Sequence, residues 1–137
     1  MRALLLILCL VFAQIIRAEG LLVIASPLVP ADSVSSEELA AIYLTQKTVW
    51  PGGLPVVPVN REAASPVREH FSAAVFERSP RELADYWNRL RFQGRLPPLV
   101  QTSDLAMLGF VRSVPGAIGY VEGSQPPTGV KILKKLP

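Results

Sequence analysis

Apolar residues fall along this chain in short blocks separated by prolines, glycines and capping residues. The spacing within each block predicts its structure. Leu21 to Ala25 is a continuous apolar run, as expected of a buried strand. Ser35 and Glu38 make a capping box, and the helix they open carries Leu39, Ile42 and Tyr43 on one face. Val56, Val57 and Val59 predict a strand over 55–59. Ser65 then caps a helix over 66–76, with Pro66 at its first position and Val67, Phe71, Ala74 and Val75 on its inner face. A second capping box, Ser79 with Glu82, opens a helix to about Phe92 with Leu83, Trp87 and Leu90 inward. Leu99-Val100 reads as a short strand. Thr102-Ser103-Asp104 starts a helix with Met107, Phe110, Val111 and Val114 on one side, and Pro115-Gly116 stops it. Ala117 to Val121 is a strand in which Gly119 marks a bulge or a close backbone approach, and Val130 to Leu136 is the last strand. Strands alternating with helices predict an α/β sandwich with a mixed sheet.

The first 18 residues stand outside this pattern. Met1-Arg2 is a basic start, and Ala3 to Ile16 is an apolar run broken only by Gln14. We read 1–18 as a secretory signal peptide and 19–137 as one domain. Losing Arg2 and Arg17 lowers the basic count from 14 to 12 against 11 acidic residues, so the net charge falls from +3 to +1. A near-neutral domain gives no argument for nucleic acid. The one cysteine, Cys9, leaves with the leader, so the domain folds without a disulfide.

The stretch from Pro55 to Phe71 carries the candidate chemistry. A strand, a polar turn and a capped helix start bring together Arg61, the Ser65 hydroxyl and the Val67 N–H. A guanidinium beside a helix N-terminus is suited to an oxyanion. No glycine-rich phosphate loop, no GxSxG elbow and no histidine or cysteine cluster occurs in the sequence. We expect no enzyme, no metal and no cofactor. Trp50 reads as a core plug, and His70, the one histidine, as a solvated helix residue without a role.

Three segments together resemble the periplasmic phosphate-binding proteins of ABC transporters. They are LAAIYLTQKTVW over 39–50, the strand-turn-helix of 57–71, and PGAIGYV over 115–121. The family has an R-x-x-G-S-G-T pattern, to which Arg61 and Ser65 correspond. Ala64, Pro66 and Val67 depart from it, removing an N–H and a hydroxyl donor. The resemblance implies a single lobe of the type II periplasmic-binding-protein fold, exported to the periplasm. It also implies weak binding of inorganic phosphate or a similar oxyanion through Arg61, Ser65 and Val67. The implied partners are a membrane transporter, a sensor or a second lobe-like protein. The alternative is a non-enzymatic protein-interaction domain that has lost its ligand and exposes an apolar patch at Pro97 to Val100 or around Tyr120. The two separate on whether Arg61 is free or tied to a carboxylate.

Overall fold

The computed structural model describes residues 20–123 and 126–137. The expected signal peptide lies outside the described residues. The strands are β1 (Leu21–Ala25), β2 (Val57–Arg61), β3 (Leu99–Gln101), β4 (Ala117–Glu122) and β5 (Lys131–Leu136). The helices are α1 (Ser36–Tyr43), α2 (Pro66–Phe76), α3 (Ala84–Phe92) and α4 (Asp104–Ser113). They form one five-stranded sheet in the order β3-β2-β4-β1-β5. β2 runs parallel to β3 and β4, while β1 runs antiparallel to β4 and β5, so the sheet is mixed.

Alternation along β1 sets the layers. Leu21, Val23 and Ala25 pack with Leu39, Ile42 and Tyr43 of α1 and Val67 and Phe71 of α2. Leu22 and Ile24 face the other way, onto Met107 and Val111 of α4. Successive strand side chains point to opposite faces, so a strand covered on both sides must be apolar throughout, as LLVIA is. Gly119 lies where α4 crosses β4: a Cβ there would stand 2.5 Å from the Met107 sulfur, so the close approach is real. Trp50 is buried and donates its indole N–H to the Gly116 carbonyl at 3.0 Å, as a core plug. Leu83, Trp87 and Leu90 make a smaller cluster on α3.

Four local expectations change. β2 begins and ends two residues later than 55–59, because its parallel pairing with β3 extends through Asn60 and Arg61. The capping box at Ser79 forms, with the Glu82 N–H donating to Ser79 Oγ at 3.2 Å, but the regular helix starts only at Ala84. Tyr120 is fully buried, stacked on Phe71 at 3.8 Å, so no exposed patch surrounds it. His70 is half-buried and sits 2.6 Å from the Pro137 carbonyl oxygen.

Candidate functional site

The β2–α2 junction places Arg61 at the C-terminal end of a parallel strand, where open α/β sheets present ligand crevices. Its backbone is fixed from below. The Arg61 N–H donates to Asn60 Oδ1 and to the Tyr120 hydroxyl, each at 3.2 Å, and its carbonyl accepts from Arg68 Nη1 at 3.0 Å. Beneath this, the Tyr43 hydroxyl reaches the carbonyls of Val59 and Ile118 at 2.8 and 3.1 Å, tying β2 to β4.

The Arg61 guanidinium is engaged by acceptors of the same chain. Its side chain is 10% exposed. Nη1 donates to Asp104 Oδ1 at 2.6 Å. Nε and Nη2 donate to the two oxygens of Glu62 at 3.2 and 3.3 Å, and Nη2 also reaches the Thr102 carbonyl at 3.3 Å. The fork that would receive an oxyanion is therefore filled by two carboxylates of the same chain. The guanidinium in turn holds the Glu62 carboxyl below its ordinary value. Asp104 is held as well: its second oxygen accepts from the Glu122 N–H at 3.2 Å.

The helix start is similarly engaged. Ser65 is the N-cap and Pro66 the first helical residue, as expected. Ser65 Oγ accepts the Val67 N–H at 3.2 Å, and the Ser65 N–H donates to the Glu62 carbonyl at 3.0 Å. Pro66 has no N–H to give. Arg61, Ser65 and Val67 thus stand on one strand-turn-helix, with their donors turned onto the protein itself. Sequence reading missed Asp104, Arg61's partner from the far end of β3. The available signal was topological: parallel neighbours bring their C-terminal ends together, so the start of the helix after β3 lies beside the end of β2.

Among the described residues, no cluster of histidine, cysteine, aspartate or glutamate suits a metal ion, and no helix is long and apolar enough to cross a membrane. Leu96, Leu99 and Val100 are exposed around the loop into β3, where the interaction reading places an apolar patch.

No protein-family model and no curated protein matches the chain. Solved structures do. One is described as a phosphate ABC transporter substrate-binding protein from Clostridium perfringens, with bound phosphate. It superposes with a TM-score of 0.67 at 23% identity, over 85% of this chain and 44% of that one. An ABC-type phosphate transport receptor from Vibrio cholerae gives 0.66 at 23% identity, over 85% and 46%. PstS from Borrelia burgdorferi gives 0.58 at 17% identity, over 75% and 40%. The chain has the fold of one lobe of these binding proteins. It spans less than half the length of the structures it matches.

Proposed function

We propose that this chain is a non-enzymatic, periplasmic module of substrate-binding-protein fold that acts through contact with another protein. In this reading it is not a phosphate carrier on its own. The observation that carries the proposal is the ion-pair cage around Arg61. An incoming phosphate must displace Asp104 or Glu62, each held by charged hydrogen bonds to the guanidinium. It gains little from the helix start, whose Val67 N–H is already taken by Ser65. The exposed Leu96, Leu99 and Val100 supply the apolar surface that a contact module needs.

Calorimetric titration with phosphate at low salt, beside sulfate, tests the reading. The wild-type protein is expected to show no saturable heat at millimolar phosphate. A Glu62→Gln/Asp104→Asn double variant, which frees the guanidinium, is expected to gain it. Saturable phosphate binding by the wild type, lost in Arg61→Ala, overturns the proposal in favour of a phosphate-binding lobe using Arg61, Ser65 and Val67.

A further inference from the structure

A cleft of about 360 Å³ opens beside the Arg61 cage, between the end of β2, the start of α2, α3 and the Pro97-Pro98 loop. Arg61, Ser65 and Val67 do not line it. Its polar lining consists of Asn60, Arg68, Asn88 and Arg91, together with the Trp87 indole, and contains no carboxylate.

Asn60 is the informative residue. It is 7% exposed, so its carboxamide is a buried polar group that needs partners. Its Oδ1 accepts the Arg61 N–H at 3.2 Å and the Tyr120 hydroxyl. A backbone N–H can only donate, which fixes that atom as the oxygen and leaves the NH₂ on the other side. That NH₂ has no acceptor among the described residues, and neither has the N–H of Trp87, which is 9% exposed. Among the described residues no fully enclosed side-chain nitrogen or oxygen lacks a partner, so both groups retain an opening rather than being sealed in the core.

The cations are similarly placed. Arg68 is half-buried and spends one N–H on the Arg61 carbonyl. It forms no ion pair among the described residues, and burial pushes its guanidinium below its ordinary value. Arg91 projects from α3 into the same lining, also without an ion pair among the described residues. Asn60, Arg68, Trp87 and Arg91 therefore line one cleft, and among the described residues the Arg61 carbonyl is the one acceptor found for their side-chain donors. The remaining walls, among them Pro80, Pro98 and Val100, are apolar. Ligand pockets run from about 300 to 1,000 Å³, so this one suits a small molecule.

We propose that this cleft binds a small organic carboxylate, its head held by Asn60, Arg68 and Arg91 and its apolar body lying against Trp87 and the prolines. Inorganic phosphate would satisfy the donors but leave the apolar walls wet, so the organic acid is the preferred class. The cleft uses none of the Arg61 side-chain donors, although Asn60 and Arg68 are both bonded to the Arg61 backbone.

The test is a titration of the isotopically labelled protein with benzoate, read at the Asn60 side-chain NH₂ and Trp87 indole N–H resonances. Inorganic phosphate is titrated in parallel. Benzoate is expected to move both resonances saturably by about 10 mM. Arg91→Ala, at an exposed position, is expected to weaken this by about tenfold or more, and phosphate to leave both resonances in place. No saturable shift with benzoate, or shifts unaltered in Arg91→Ala, overturns the proposal. Equal saturation of these resonances by phosphate overturns the organic-acid assignment. Because Asn60 Oδ1 accepts the Arg61 N–H, the Trp87 indole is the resonance that keeps these outcomes separate from any event at Arg61.

Discussion

Two buried phenols hold up the β2 terminus, and their chemistry sets an alkaline limit on the fold. Burial raises the Tyr43 hydroxyl well above its ordinary value, with repulsion from Tyr120 adding to the effect. Burial also raises Tyr120. A phenol in the unfolded chain titrates near about 10, so above that pH the unfolded state releases protons that the folded state retains. The stability these groups contribute is fully present below about pH 10 and declines as pH rises past it. The urea midpoint is therefore expected to fall on the alkaline side. Tyr43→Phe should cost about 1–3 kcal/mol at pH 7, since two buried carbonyls lose their donor, and should flatten the alkaline decline. An unchanged slope in the variant would remove Tyr43 from this account.

At the scale of elements, the turn between α4 and β4 is the least replaceable joint. Gly116 has a φ of +83°, and a Cβ there would stand 2.0 Å from the Pro55 carbonyl oxygen. Its own carbonyl accepts both the Trp50 indole and the Val57 N–H, so one residue anchors the core plug and the start of β2. Gly53 also has a positive φ, +99°, but has open space around it. Gly53→Ala carries backbone strain of about 1 kcal/mol, whereas Gly116→Ala adds a backbone clash and is expected to cost more than about 2 kcal/mol. Urea denaturation of both variants checks this, and equal losses would refute it. The same joint shows what the sequence made legible. Pro115-Gly116 is a local stop signal, and the caps that open α1, α2 and α4 and the apolar spacings of all four helices are local too, although α3 starts only at Ala84, beyond its capping box. β2 slid by two residues because its end is set by pairing with β3, some forty residues away. The Arg61 partner was hidden for the same reason: Glu62 is adjacent in sequence, but Asp104 is 43 residues distant and reaches Arg61 only once the parallel sheet is built. Spacing arguments place donors well. They do not show which acceptors the fold will bring to them.

The whole molecule has two unlike sheet edges. β5 carries Lys131, Lys134 and Lys135, and charged edge strands resist pairing with another chain. β3, only three residues long, leaves Leu99 53% and Val100 48% exposed. With Leu96, Leu99 and Val100 exposed beside the ends of the parallel strands, the proposed contact module is expected to meet its partner on the β3 side. A photo-reactive residue at Val100 is therefore expected to cross-link to a second protein in the cell envelope, and one at Lys134 is not. Leu99→Lys should abolish the Val100 adduct while changing stability by no more than about 0.5 kcal/mol, as exposed substitutions usually do. That combination separates a lost contact from a lost fold. Adducts at both edges, or at neither, would remove the asymmetry from which the partner-facing side is inferred.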